Sequence, residues 1–413
     1  MMLPKRGQDW QTLKRELEAR KQSDADWRGL RTTVFVFNAG EDVMDVAKSA
    51  YSLYQSENGL GSGSAFPSLA RMESEVVAIG LDLLDAPASA CGNMTSGGSE
   101  SIFLAVKTCR DQVRAGGGDT VGSEVLVPRS AHPAFDKAAG YLDLKVTRIP
   151  VDSDFRADIG AMRAAISRRT IMIVGSAPCF PYGVIDPIED LGEIAEQHNL
   201  WLHVDACVGG YFAPFARLNG IDLPAFDFSL PAVRSISADL HKYGYAAKGA
   251  STIFHRSEEQ RRHQLFSCDQ WPVGTMETPS TTGTRPGGAI AAAWAVLHYL
   301  GESGYREKTQ QVIEARERLQ SAIEGMPSLK VVADPQLGLI AYTSPTLDIY
   351  AVSELMARRG WVSPLLDEPK AIHLMLSPQH LTVIDEYIAD LVGSVEHVSQ
   401  TNMTSTDVTA RYN

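Results

Sequence analysis

The chain has no excess of basic charge, no apolar run of membrane length and few cysteines, and each lack removes a class of protein. Its 38 Lys and Arg against 50 Asp and Glu leave a net charge of −12 at pH 7, the wrong sign for a nucleic-acid or anionic-membrane partner. The apolar helical run from Ala289 to Leu300 is too short to cross a bilayer. Residues Met1 to Arg31 are charged and helix-favouring, with Trp10, Leu13, Leu17 and Trp27 as sparse apolar positions, and they hold no signal-peptide core. A surface helix or an arm wrapping a second subunit fits that stretch. The five cysteines (Cys91, Cys109, Cys179, Cys207, Cys268) are odd in number, scattered and without metal-ligand spacing. That argues against a disulfide scaffold and a metal centre, and for a reduced, cytoplasmic setting. No internal repeat is present, and the polar tail from Thr401 to Asn413 is expected to be disordered.

What is there centres on SISADLHKYGYAAKG, from Ser235 to Gly249. It sets Lys242 after His241 among small residues, where an amine can be held against a planar ring. Lysine is the side chain that forms a Schiff base, and its pKa falls when it is desolvated or set beside another cation. This is the requirement of pyridoxal 5'-phosphate, and His241 could add a positive charge or a hydrogen bond to the cofactor phosphate. A His-Lys pair alone also fits a solvated loop, so the other stretches decide. In HVDACVGG, His203 to Gly210, an apolar run ends in Asp205 as at the carboxyl end of a buried strand. A carboxylate there can pair with a protonated pyridine nitrogen and make the ring an electron sink. In TSGGSES, Thr95 to Ser101, a glycine- and hydroxyl-rich turn opens a helical pattern. Such a turn offers free N–H groups and a positive dipole end to a phosphate, with Gly98 and Ser99 as the expected grip.

Strand and helix patterns alternate from Glu124 onward: Glu124 to Pro128, Leu144 to Ile149, Ile159 to Ser167, Ile171 to Ser176, Ile188 to His198, Trp201 to Val204. This predicts an α/β fold with a mostly parallel sheet. Ligands bind at the carboxyl ends of such strands, which would bring Ser176, Asp205 and Lys242 to one edge. A short strand is expected over Thr33 to Phe37. Two helices, Ala289 to Leu300 and Tyr305 to Ile323, lead into a smaller C-terminal domain. The expected division is an N-terminal arm over 1–65, a large cofactor-binding domain over 66–288, a small α+β domain over 289–398 and a tail over 399–413.

Taken in order, these blocks resemble the sphingosine-1-phosphate lyase family, pyridoxal-phosphate enzymes related to the glutamate and aromatic amino-acid decarboxylases. SAHPAFDKAA (Ser130 to Ala139), FPYGVIDP (Phe180 to Pro187) and GTRPGG (Gly283 to Gly288) extend the resemblance, which runs from about Phe66 to Glu396. It implies the aspartate-aminotransferase-like type I fold and carbon–carbon cleavage of a phosphorylated long-chain amino alcohol to an aldehyde and phosphoethanolamine. It also implies that His132 stacks on the cofactor ring and that Lys248 contacts the substrate phosphate. Thr284 and Arg285 would approach the other subunit's cofactor, in a homodimer with shared sites. Membrane-bound members carry an N-terminal anchor, and its lack here implies a soluble form. The chain departs from the family in SENGLGSGSAFP, Ser56 to Pro67. It keeps Asn58, Leu60, Phe66 and Pro67 of an Asn-x-Leu-His-x-Asp-x-Phe-Pro pattern, but has Gly61, Ser62 and Gly63 around the place of the phosphate-binding histidine. The family's upstream tyrosine is also missing, with Val36 and Phe37 nearest its place, and Met276 replaces another tyrosine. An amino-acid decarboxylase or aldolase is therefore the alternative, with Arg285 holding a carboxylate. A fold that has lost catalysis is disfavoured by the presence of Lys242, Asp205 and His132.

Overall fold

In the computed structural model, which describes residues 2–406 and 409–411, the organising element is a seven-stranded sheet. Its strands are β1 (Cys91–Thr95), β2 (Glu124–Pro128), β3 (Lys145–Ile149), β4 (Thr170–Ser176), β5 (Trp201–Asp205), β6 (Val233–Ala238) and β7 (Ser251–His255). They lie in the order β1-β7-β6-β5-β4-β2-β3. From β3 to β6 every pairing is parallel, while β7 runs antiparallel to both its neighbours. Every residue of β5 and β7 is buried, as β-branched and aromatic strands covered on both faces must be. Burying each such Val, Leu, Ile or Phe contributes about 1.5–3 kcal/mol.

The helices, in chain order, are α1 (Trp10–Arg20), α2 (Glu41–Leu53), α3 (Pro67–Leu83), α4 (Gly98–Ala115), α5 (Ala134–Tyr141), α6 (Ile159–Ala165), α7 (Ile188–His198), α8 (Ala213–Leu218), α9 (Glu258–Arg261), α10 (Gly287–Glu324), α11 (Ile349–Arg358) and α12 (Ile384–Thr401), of which α3 to α7 pack on the large sheet. A small hairpin, β8 (Phe266–Cys268) with β9 (Met276–Thr278), precedes α10. The C-terminal part adds an antiparallel sheet of β10 (Lys330–Val331), β11 (Leu339–Thr343), β12 (Leu365–Asp367) and β13 (Lys370–Met375), in the order β10-β11-β13-β12. The large, mostly parallel sheet and the small α+β unit are those expected from the sequence.

Thr33 to Phe37 and the tail differ from expectation. Thr33 to Phe37 forms no strand: Phe35 sits at φ 67°, and the backbone just before it is claimed by the small domain. Thr33 donates its amide to Val362 and accepts one from Met375. The two expected helices after Ala289 are present as the two halves of α10, parted by a non-helical residue at Gly301 (φ 54°), and the expected boundary at 288/289 falls in the first turn of the first half. The tail is anchored in part, since the Ser405 amide donates to Asp348 and Met403 packs on the core. Residues 407, 408, 412 and 413 lie outside the described residues. Along α1, Trp10, Leu13 and Leu17 are exposed, and no residue of the helix is buried.

Candidate active site

Strand register builds the site from the sheet outward. Ser176, last in β4, pairs with Asp205, last in β5, and Asp205 pairs with Ser237 in β6. Because β2 leads to β3 on one side while β4 lies on its other side, the strand order reverses at β2. A crevice at the carboxyl ends follows from that reversal. The chain leaves β2 toward His132 and leaves β6 through the turn that carries Lys242. A cavity of ≈ 460 Å³ lies there, lined by Gly97, Gly98, Ser99, His132, Ser176, Asp205, Asp239, His241 and Lys242 among others. A hollow of ≈ 570 Å³ at the opposite edge, by Thr170, Trp201 and Arg234, is larger but gathers none of these groups.

Each wall has a distinct electrostatic character. The first turn of α4 begins at Gly98 with no side-chain cap, so its amides are available to an anion. A Cβ on Gly98 would lie 2.8 Å from Asp239 Oδ2 and 2.9 Å from Cys207 Sγ, which is why glycine is required at this position. Asp205 is 7 % exposed, and its Oδ1 accepts from the Cys207 amide (3.1 Å) and the Ser237 hydroxyl (3.3 Å). Those bonds orient a carboxylate whose burial without partners would cost several kcal/mol. His132 Nδ1 accepts from the Ala134 amide at 3.1 Å, which puts the ring proton on Nε2. Burial holds His132 below its ordinary pKa, so the ring is neutral at pH 7.

At Lys242 the structure corrects the expected charge balance. Its Nζ lies 3.0 Å from Asp239 Oδ2. Burial alone would lower the amine's pKa, yet Asp239, then Cys207 and Asp205, hold it above the lysine value. Burial would raise Asp239, but the Lys242 ammonium and then His241 pull it below the usual carboxylate range. His241 supplies no neighbouring charge at pH 7, because burial lowers its pKa; its Nδ1–H donates to Ala250 O at 2.7 Å. Asp239 is the residue that sequence reasoning missed. The signal was present: it stands three residues before Lys242, the spacing that puts two side chains on one face of a helical turn.

The other expected residues lie off this cavity. Asn58 bridges two segments, accepting from the Leu60 and Arg285 amides and donating to Thr284 Oγ1. Arg285 is tied to Glu73 through Nη1 (2.6 Å) and Nη2 (2.9 Å), with both side chains 12 % exposed. Its guanidinium is thus engaged within the fold. Glu100 accepts from the Ser96 amide and from the Thr281 amide and hydroxyl, joining the α4 turn to the same loop. Lys248 reaches solvent with its ammonium 5.4 Å above the Phe37 ring. Surrounding protein, then the Lys242 cation, lowers its pKa to about 8.

A lysine amine, an uncapped helix start and a strand-end carboxylate around one crevice define the type I class of pyridoxal-phosphate enzymes. The cradle at Gly98, which a Cβ would fill, and the uncapped start of α4 fit a phosphorylated ring bound there. Comparison with known proteins agrees: the pyridoxal-dependent decarboxylase conserved domain matches residues 36–344. The sphingosine-1-phosphate lyase of Arabidopsis thaliana is 43% identical, over 96% of this chain and 74% of its own. The structure of a Burkholderia pseudomallei sphingosine-1-phosphate lyase superposes with a TM-score of 0.93 at 37% identity, covering 97% of this chain and 94% of that one. A Lactobacillus brevis glutamate decarboxylase shares the fold, with a TM-score of 0.85 at 21% identity, over 99% of this chain and 96% of that one. The chain belongs to the sphingosine-1-phosphate lyase family of pyridoxal-phosphate-dependent enzymes.

Proposed function

We propose that this protein cleaves a phosphorylated long-chain amino alcohol of the sphingosine 1-phosphate type to a long-chain aldehyde and phosphoethanolamine. The observation that carries the reading is the convergence of Lys242, Asp205 and His132 on the crevice capped by the first turn of α4. Bound pyridoxal 5'-phosphate supplies an electron sink for the bond that breaks beside the amine carbon. The chain supplies the rest. Gly98 and Ser99 hold the phosphate with backbone amides, Ser176 joins them from this chain and Thr284 from a second copy, and Asp205 keeps the pyridine nitrogen protonated. Neutral His132 packs on the ring and leaves it free of competing charge. Lys242 provides the amine that anchors the cofactor, and with His241 it takes and returns protons on this wall. Lys248 and Asn58 meet the anionic end of the substrate.

We place the enzyme in the cytoplasm, in keeping with its five free cysteines, and as a homodimer with Thr284 and Arg285 near the partner's site. Leu60, Phe266, Trp271 and Val273 are 45 to 78% exposed beside that segment, an apolar surface that suits a subunit contact. No helix of the described residues is long and apolar enough to cross a membrane.

Amino-acid decarboxylation is the second reading, favoured by Phe37 and the Gly61 to Gly63 loop, which lack the family's phosphate contacts. The Glu73 pair counts against it, because it occupies the arginine that would hold a carboxylate. The test is to incubate the cofactor-loaded enzyme with a phosphorylated sphingoid base and follow products by mass spectrometry, with Lys242→Ala as control. Aldehyde and phosphoethanolamine that vanish in the control establish the lyase. Carbon dioxide from an amino acid, with neither product from the sphingoid base, establishes the second reading.

A further inference from the structure

A lysine amine adds to an aldehyde only when neutral, yet Lys242 lies in an ion pair. Its partner, Asp239, is 2 % exposed. Oδ2 is bound at 3.0 Å from Lys242 Nζ, while Oδ1 has no hydrogen-bond partner among the described residues. Both oxygens crowd the start of α4, since a Cβ on Gly98 would come within 2.8 and 2.9 Å of them. A cofactor phosphate held by the first turn of α4 therefore meets a buried carboxylate. Two anions so close and so poorly solvated are costly. A proton on the carboxylate turns that repulsion into a hydrogen bond to the phosphate.

We propose that Asp239 is the proton acceptor for cofactor capture: it holds Lys242 as ammonium in the cofactor-free enzyme, takes that proton as the aldehyde arrives, and stays protonated beside the phosphate. The step balances. The ammonium proton passes to the Asp239 carboxylate, and the freed nitrogen forms a double bond to the aldehyde carbon. The carbonyl oxygen leaves as water with the two remaining amine protons. Other charged or titratable groups face Asp239 from every side: Lys242, His241 and Lys248 on its own loop, Asp205 at the end of β5 and Cys207 just after it, His132 after β2, and Tyr211 behind. Of these, Lys242 is the cation in contact with the carboxylate and the one whose charge the reaction must remove. The inference rests on the cofactor at Lys242 and not on the identity of the substrate.

Infrared difference spectra of the full-length cofactor-free protein, before and after pyridoxal 5'-phosphate is added, test it, with visible absorbance followed in the same sample. The expected result is a carboxylic-acid C=O stretch that grows with the visible band, shifts when aspartate is ¹³C-labelled, and is missing in Asp239→Asn. In that variant the pH dependence of the capture rate should also move down by about one unit or more, because Lys242 loses its anion. A visible band without the acid stretch, or a stretch that persists in Asp239→Asn, overturns the proposal alone. No visible band overturns the cofactor site together with it. Should Asp239→Asn not fold, Asp239→Glu in aspartate-labelled protein serves, since the labelled stretch must then vanish.

Discussion

Ser176, Asp205 and Lys242 are placed by strand register, at the ends of β4 and β5 and in the turn after β6. Asn58, Thr284 and Arg285 are placed by loops, and side-chain bonds hold those loops together: Asn58 to Thr284, Arg285 to Glu73, Glu100 to Thr281. The first region is fixed by strand pairing and largely buried, so its chemistry tolerates little change. The second is a mesh of polar ties in which one exchange can move a wall without disturbing the sheet. The departures from the family at Gly61 to Gly63 and Met276 fall in or beside the loop-built region, as expected if cofactor chemistry is held by the sheet and substrate choice by the loops, while Phe37 packs against Tyr243 and under Lys248, in the turn after β6.

Substitutions can break or sharpen that contrast. Lys242→Ala should leave no turnover and no visible cofactor band, and Asp205→Ala should lower kcat by roughly 10²–10³-fold, the scale of losing one preorganised electrostatic partner. Both should keep the far-ultraviolet circular dichroism of the parent. Gly98→Val sets a side chain against Asp239 and Cys207. It should weaken cofactor binding by about 1–3 kcal/mol, the usual cost of overpacking, measured by equilibrium titration.

Glu73→Gln acts on the loops instead. It strands the Arg285 charge, 12 % exposed, and should cost about 3 kcal/mol in urea unfolding, at the lower end for breaking a buried pair. KM should rise while the cofactor band stays. Substrate affinity should also depend on pH through Lys248. Its amine titrates at about 8, so its positive charge is complete well below that pH and is lost as pH rises through it. KM for a phosphorylated substrate should therefore climb a few-fold across this range in the parent and stay flat in Lys248→Met. The same KM slope in both would remove Lys248 from the anion site.

The sequence showed the strand-built region far better than the loop-built one, for a physical reason. Apolar runs ending in Ser176 and Asp205 announce strand ends, and a fixed strand order puts those ends together. The TSGGSES turn announces a helix start without a cap. Loop contacts carry no such periodicity: nothing local tells that Glu73 will neutralise Arg285 across 212 positions, or that Thr33 will bond to the small domain rather than form a strand of its own. Asp239 was missed for another reason. It lies in the same stretch as Lys242, but the residue next to a lysine in sequence is not the one next to its amine in space: His241 Nδ1–H is turned to Ala250, while Asp239, three residues back, meets the amine.

Lys242, on the sheet-built wall, should carry the cofactor. Borohydride reduction of the loaded enzyme, followed by proteolysis and mass mapping, tests it most directly. The expected result is a pyridoxyl adduct on Lys242 in full yield and unmodified Lys248. An adduct on Lys248, or none on either lysine, would contradict it.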